Sequence, residues 1–400
     1  MIKKIDIRQL RVGMYIDDLD ANWLDHNFVT QRFAVKDHKT LQKLIKSGLK
    51  HLYIDTDKGK DVEEAPTIEV VQERVEEEVR HVAPSEKPLE NRVSVEEELS
   101  AARGIYKEAS GIMQNLMEGM RFGKEIEVNS VREISDQMVE SAFRNKDALI
   151  SLSRIKDKDH YTYMHSVSVS GLMITFGRTM GFDKQRIRDI AIGGLLHDIG
   201  KMETPDKILN KPGKLTDHEF DIMRSHVVYS RELLQDQTGI TQDALDVAAQ
   251  HHERVDGSGY PLGLKGDEIS EVGQMSTIVD VYDALTSVRV YKNAWEPNLV
   301  LKKLMEWSSS HFNPTLVHMF IRCLGVYPIG AMVELESGLI GIVIEQNEVN
   351  LLKPKVKIVY SAKHHHYVPA HEVDLEKSDD FIKTAIDPKK YQINPTTFYY

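Results

Sequence analysis

The spacing of apolar and polar positions divides the chain into five stretches. Over residues 1–57, short apolar runs at 4–10, 14–16, 28–35 and 52–54 predict strands, with turns at Gly13 and near Asp25-His26. Asp37 is placed to cap a helix running through Ile45, with Gly48 as its stop. That mixture predicts a small α+β module. Residues 58–94 are rich in Glu, Pro and Lys and read as an acidic linker, flexible apart from a solvated helix available to 73–80. From 95 to 155 the period becomes helical: Ile105, Ile112, Met113, Leu116, Met117 and Met120 form one stripe, and Ile134, Met138, Val139 and Ala142 another. Stripes of this kind predict a helical connector packed on the domain that follows, or on a second copy of the chain.

Residues 156–325 read as helices joined by short loops. One helix holds His165. A second runs from Asp183 to His197 and is ended by Gly200, and a third is opened by a Thr216/Glu219 capping box and carries His226. Two more cover 241–252 and 271–288. Beyond, over 326–400, apolar runs at 332–335, 341–345 and 356–360 predict strands, with Ser337-Gly338 as a hairpin turn. The fold class expected is mainly α: a central helical bundle between a small α+β N-terminal module and a short β-rich C-terminal extension.

Charge alters this picture only locally. The net charge of −11 disfavours nucleic-acid binding, which needs a basic face. Residues 61–99 hold 13 acidic and 4 basic side chains, whereas 1–60 hold 8 and 12, so the acidity belongs to the linker. Cys323 is the single cysteine, which excludes an intrachain disulfide and a Cys-rich zinc site. No signal-peptide core is visible and no apolar run reaches the ~18 residues of a membrane span, so a cytoplasmic protein is expected.

The candidate chemistry lies in the helical stretch. His197-Asp198 sits in HDIGK at the end of an apolar helix, where the carboxylate is able to bridge two cations and Lys201 to neutralise phosphate. Alone, the dipeptide would read better as a helix-terminal histidine beside a capping aspartate. It recurs in a series, however: His197 lies 32 residues after His165, His226 lies 28 after Asp198, His251 lies 25 after His226, and Asp280 lies 28 after His252. Five histidines and two aspartates in recognisable contexts point to a metal-dependent phosphohydrolase centre. By contrast, His26, His38 and His51 read as surface or packing residues. The run His364-His365-His366 reads as an exposed segment after the last strand.

These motifs resemble the HD-GYP family, a branch of the HD-domain metal-dependent phosphohydrolases. The matching stretches are YTYMHS at 161–166, LLHDIGK at 195–201, ILNKPGKLTDHEFDIMRSH at 208–226, HHERVDGSGYP at 251–261 and DVYDALTSVRVYK at 280–292. The resemblance assigns residues 156–325 to an HD-GYP domain and implies hydrolysis of the bacterial second messenger cyclic di-GMP with two or three bound metals, typically iron or manganese. Carried over residue by residue, it makes His165, His197, Asp198, His226, His251, His252 and Asp280 the metal ligands, with Asp198 as bridge. It implies that Lys201, Arg289 and Lys292 meet the ligand's phosphates and that Tyr260 contributes to substrate binding. It also implies that the Gly-Tyr-Pro loop contacts diguanylate cyclase-type domains; a homodimer is a further expectation, through the 95–155 helices. Three-metal members place a glutamate four residues before the first histidine. Here that position is Tyr161, a poor ligand near neutral pH, and Asp159 lies two residues off the required face. A two-metal centre is therefore expected. Hydrolysis of another cyclic dinucleotide, or a metal-bound receptor for cyclic di-GMP, are the alternatives left open.

Overall fold

Alternating apolar positions build the N-terminal sheet. The computed structural model describes residues 1–20, 32–47, 49–81, 92–153, 161–211, 213, 215–287, 294–308, 310–347 and 349–398. It divides into two units, 1–78 with 206–222 and 79–205 with 223–400. In the first, strands β1 (Ile2–Asp6), β2 (Tyr15–Asp18) and β3 (Phe33–Ala34), helix α1 (His38–Ile45) and strand β4 (His51–Asp55) form an antiparallel sheet in the order β1-β4-β2-β3, with Ile5, Ile16, Leu44, Leu52 and Ile54 in its core. The expected cap is present, as the Thr40 amide donates to Asp37 Oδ1 at 2.7 Å. The strand expected over 4–10 stops earlier. Asp6 turns the chain into a short 3-10 helix, Ile7–Gln9, by accepting from the Arg8 amide at 2.8 Å while the Asp6 amide donates to Gln9 Oε1 at 3.0 Å. Residues 28–31 of the strand expected over 28–35, together with Gly48, His26 and the turn near Asp25, lie outside the described residues. The expected linker contains a helix, α2 (Ile68–His81), longer than the 73–80 segment picked out by its polar pattern.

In the second unit the connector is three helices: α3 (Val95–Arg121), α4 (Val128–Arg144) and α5 (Lys146–Ser153). A Ser94/Glu97 capping box starts α3. The second stripe is buried as expected, whereas of the first only Met113 and Met117 are fully buried, with Ile105, Ile112, Leu116 and Met120 partly buried against them. Ala102, Tyr106, Ala109, Met113, Met117, Ile134, Met138 and Ala142 share one core with Ile174, Ile187, Leu195 and Ala248 of the bundle. Each fully buried Met contributes about 1.5–3 kcal/mol. The stripes are thus used within the chain. The bundle continues through α6 (Tyr161–Thr179) and α7 (Lys184–Leu196). The chain then forms α8 (Asp206–Leu209) and α9 (Asp217–Arg224), which fall wholly and mostly in the 206–222 stretch of the first unit, and the bundle resumes with α10 (His226–Leu234), α11 (Gln242–Gln250), α12 (Glu271–Thr286), α13 (Pro297–Trp307) and α14 (Pro314–Leu324).

Two boundaries differ from expectation. Gly200 does not end α7; the helix stops at Leu196, and Gly200 lies inside a 3-10 turn, Ile199–Glu203. The Thr216/Glu219 capping box is formed, but α9 stops at Arg224 and His226 begins the next helix. Strands β5 (Met332–Leu335), β6 (Leu339–Glu345), β7 (Lys355–Ser361), β8 (His366–Asp374) and β9 (Ile382–Ala385) close the chain in an antiparallel sheet ordered β8-β7-β6-β5-β9. His364–His366 therefore sit at the turn between β7 and β8, not after the last strand. This sheet is tied to the bundle by buried polar groups. The Gln346 backbone amide, just past β6, donates to Asp147 Oδ2 at 3.0 Å, while within the bundle the neighbouring Lys146 joins α5 to α14 by donating to the Cys323 carbonyl at 3.2 Å.

Candidate metal centre

Helix ends present most of the polar side chains at the centre of the bundle. His197 and His251 are the residues that cap α7 and α11, His226 opens α10, and His165 and Asp280 project from within α6 and α12. His197, His226 and His251 make the same local bond: Nδ1 faces the carbonyl of Gly194 at 2.8 Å, Met223 at 2.6 Å and Ala248 at 2.9 Å, respectively. A carbonyl only accepts, so each Nδ1 carries the proton and each Nε2 offers a lone pair. The three Nε2 atoms converge. Those of His226 and His251 are 3.4 Å apart, and that of His197 is 3.2 Å from Asp198 Oδ2.

Asp198 divides the cluster. Its Oδ1 lies 3.4 Å from His226 Nε2 and 3.9 Å from His251 Nε2, while Oδ2 faces His197, His165 Nε2 at 3.7 Å and Lys201 Nζ at 2.5 Å. Asp280 Oδ1 lies 3.0 Å from His165 Nε2, and Oδ2 lies 3.7 Å from His252 Nδ1. Donor atoms within 4.8 Å of one another form three overlapping groups: His226, His251 and His252; His165, His197 and Asp280; and His197, Asp198 and His251. His197 Nε2 and Asp198 Oδ1 are buried without a hydrogen-bond partner. Buried polar atoms are normally satisfied, so two orphans facing one point indicate a cation-sized requirement. Imidazole and carboxylate suit borderline first-row transition metals.

Protonation of three histidines and both aspartates agrees with that fit, while His197 is shifted the other way. Burial pushes the His226 imidazole down to about 4 and that of His251 down to about 3, and drives His252 well below its ordinary range, with neighbouring histidine charge adding to the effect at the last two. Burial opposes ionisation of Asp198, but the charges of His197 and Lys201 outweigh it and hold the carboxyl well below the usual range. Asp280 is likewise held low against burial by its hydrogen bond and attraction to His165. His197 is raised, because attraction to Asp198 overcomes burial. Neutral imidazoles and ionised carboxylates are the states that coordinate cations.

Supporting residues complete the site, and these were not singled out by sequence. Asp283, three positions after Asp280 on a buried helix, accepts from His165 Nδ1 at 2.6 Å and so turns Nε2 inward. That i, i+3 spacing was the available signal. Ser230 accepts from the Gly200 amide at 2.9 Å and donates to the His197 carbonyl at 2.8 Å, joining α10 to the HDIGK turn. Gly200 permits this approach, since a Cβ there would lie 2.1 Å from the His226 carbonyl oxygen. Glu253, 1% exposed, accepts from the amides of Leu262 and Leu264 at 2.7 and 3.0 Å and holds the Gly-Tyr-Pro loop against the centre. The Tyr260 ring packs 4.7 Å from His252, with the Arg224 guanidinium 4.3 Å from its centroid. Arg289, Lys292 and Asp159 lie outside the described residues, as does the side chain of Tyr161.

Three domain families match the chain: a domain of unknown function (DUF3391) over residues 2–131, an HD domain over 143–316, and a KOW domain associated with HD domain over 332–394. The chain is also 39% identical over 379 residues to the cyclic di-GMP phosphodiesterase PA4108 of Pseudomonas aeruginosa, a match covering 94% of this chain and 90% of that protein. The chain belongs to the HD-GYP family. Other likenesses are shorter. One is a cyclic di-GMP phosphodiesterase of Thermotoga maritima, 36% identical over 45% of this chain and 49% of that one. Another is the 3'3'-cGAMP-specific phosphodiesterase 2 of Vibrio cholerae, 45% identical over 32% of this chain and 24% of that one. Among solved structures, Bd1817, a HDG"Y"P protein from Bdellovibrio bacteriovorus, is 18% identical, covers 80% of this chain and 98% of that one, and gives a TM-score of 0.47. The HD-GYP fold class expected from sequence, a helical bundle flanked by a small α+β module and a β-rich extension, is the one observed. HD-domain phosphodiesterases are metal-dependent, and this chain has a His/Asp cluster fit for the purpose. Among the described residues, no helix is long and apolar enough to cross a membrane.

Proposed function

We propose that this chain is a cytoplasmic phosphodiesterase that hydrolyses cyclic di-GMP to linear pGpG with two divalent ions of the iron or manganese class. One arrangement carries the reading: six His and Asp residues surround Asp198, with His197 Nε2 and Asp198 Oδ1 buried and unpartnered. The full-length likeness to a cyclic di-GMP phosphodiesterase supports the substrate. His165, His197 and Asp280 would hold one ion, His226, His251 and His252 the other, and Asp198 would reach both. Such ions supply Lewis acidity and a water acidified enough to give hydroxide near neutral pH.

The chain's own side chains do the rest. Lys201, beside Asp198, places a positive charge where a scissile phosphate would sit, and Arg289 and Lys292 are assigned to the remaining phosphate oxygens. Tyr260 borders the cluster and gives the substrate a flat apolar wall. Water oxygen adds to phosphorus, the bond from phosphorus to a 3′ oxygen breaks, and the proton ends on that leaving oxygen. Without a glutamate at position 161, two ions and accumulation of pGpG are the matching outcome. The Gly-Tyr-Pro loop, with Leu262 65% exposed, is the surface we assign to diguanylate cyclase-type partners.

The test is anaerobic purification, elemental analysis and incubation with cyclic di-GMP while products are followed. About two metals per chain and accumulating pGpG, both lost in Asp198→Asn, is the expected result. Tight binding without turnover in iron or manganese would replace the enzyme by a receptor. The likeness to a 3'3'-cGAMP-specific phosphodiesterase favours one competing substrate, so 3'3'-cGAMP is assayed alongside. A higher kcat/KM for it would change the substrate and keep the chemistry.

A further inference from the structure

Helix α3 lies outside the HD-domain match and inside the match to the domain of unknown function, yet it packs on α5, α6 and the 3-10 turn that follows Asp198. Its buried stripe is apolar apart from two polar residues, Glu98 and Tyr106. Near the start of α3, buried Glu98 accepts from Arg144 at 2.6 and 2.8 Å and from Ser141 at 2.7 Å, fixing the helix to α4. Two turns further on, Tyr106 extends its hydroxyl to α6. There it lies 3.1 Å from the Met164 carbonyl oxygen and within hydrogen-bond distance of Ser168 Oγ.

The partners decide the roles. A carbonyl only accepts, so Tyr106 donates to Met164 and Ser168 donates to Tyr106. Met164 immediately precedes His165, and Ser168 follows it by three residues. The two bonds therefore grip α6 on both sides of the histidine that faces Asp280 and Asp198. Asp283 fixes the imidazole's rotation from the other direction, through Nδ1. Burial pushes the Tyr106 phenol up, and the Asp283 carboxylate adds to this against the Ser168 bond, so the hydroxyl keeps its proton. Ring orientation and backbone position of His165 are thus set by separate residues, one of them supplied from outside the HD domain.

We infer that Tyr106 is a positioning residue for His165, and that α3 is a working part of the metal centre rather than a spacer. The inference rests on the proposed metal site. It gives α3, which precedes the HD domain, a physical route to that site, since any displacement of α3 along its axis would pull on the backbone at His165.

The test compares the full chain with Tyr106→Phe and Ser168→Ala in direct Mn²⁺ titrations, in thermal melts of metal-free protein, and in steady-state kinetics with cyclic di-GMP. Phenylalanine keeps the packed ring, and Ser168 regains a partner in the Met164 carbonyl four residues back, so melting of the metal-free Tyr106→Phe variant should match the parent. Loss of an outer partner of a ligand costs about 10- to 100-fold in metal affinity or activity. Tyr106→Phe is expected to weaken Mn²⁺ binding about 10-fold and to lower kcat with KM unchanged. Ser168→Ala, which spares the Met164 bond, should have a smaller effect of the same kind. Parental Mn²⁺ affinity and kcat in Tyr106→Phe would overturn the inference. So would a KM rise equal to the kcat loss together with a lowered melting point, which would mark general loosening. A parent chain that binds no metal would overturn the proposed site and this inference with it.

Discussion

Glu253 offers a sharp separation of loop from metal. Its carboxylate follows the His251-His252 pair and accepts two backbone amides, Leu262 at 2.7 Å and Leu264 at 3.0 Å. The Tyr260 amide donates back to the His252 carbonyl at 3.1 Å, and Thr277 donates to the Glu253 carbonyl at 3.2 Å from α12. The loop is therefore closed on its own beginning, with the carboxylate as the clasp. Glu253→Gln keeps shape and volume but replaces one acceptor oxygen with an amino group that faces a backbone N–H. At least one of these part-buried amides then loses its partner. Such a loss costs about 1–3 kcal/mol for the orphaned group, and bonds to a charged acceptor are worth about 1.5–3 kcal/mol, so a total near 2–4 kcal/mol is expected. Opening the loop breaks fewer contacts than unfolding the bundle, so the cost appears as local opening. If the closed loop is the form that binds, each 2 kcal/mol taken from its margin raises apparent KM up to about 30-fold. Steady-state kinetics, metal content and amide exchange at positions 262 and 264 measure this. The expected result is a raised KM, faster exchange at both amides and unchanged metal. Parental KM with both amides still protected would refute the clasp, and loss of metal would show that Glu253 acts on the ligands instead.

Other perturbations probe the centre. Ser230→Ala orphans the Gly200 amide and the His197 carbonyl, a cost of about 2–3 kcal/mol; the melting temperature should drop by about 4–10 °C, and an unchanged melt would show that the junction carries no stability. Asp283→Asn keeps an acceptor for His165 Nδ1 but removes its charge, so Mn²⁺ affinity measured by titration should fall about 10-fold with little change in melting. In chelator-treated protein, His226 and His251 titrate near 4 and 3 when folded against ~6.5 when unfolded, so below that value the unfolded chain takes up more protons. Stability should therefore fall from pH ~6.5 toward 4, by up to ~1.4 kcal/mol per unit for each histidine. His197, raised in the fold, acts above this window: its contribution is full below ~6.5 and is lost only as pH rises through its folded value. His252, also lowered, acts in the same direction as His226 and His251, so acidification gives a net loss, and a flat melting curve across that range would contradict it.

What the sequence made legible follows from periodicity and local chemistry. The α3 stripe was readable because Met113 and Met117 recur at helical spacing, and the α1 and α9 starts because Asp37 and Thr216 bond amides within a few residues. Strand β8 was not readable. It is an edge strand exposed on both faces, so HYVPAHEVD carries no alternation. Asp283, Ser230 and Glu253 were missed because each is a single polar residue whose role depends on a partner brought near by folding; Asp283 and His165 are 118 residues apart.

The break at His226 follows a rule shared by three of the site's histidines. Carbonyls in the last turn of a helix have no intrahelical donor, so they are free to bind a side chain. Gly194 and Ala248 are such carbonyls, and the rings of His197 and His251 take them through Nδ1, each three residues on. At Met223 the His226 ring does the same, and α9 stops at Arg224 as α10 starts at His226. A histidine in that position has its tautomer and its direction set by the helix end itself, before any metal arrives. The sequence signal is therefore a histidine just past an apolar helical run, as in LLHDIGK. Three such ends, delivered to one point by the packing of α7, α10 and α11, are what make a short dipeptide part of a site.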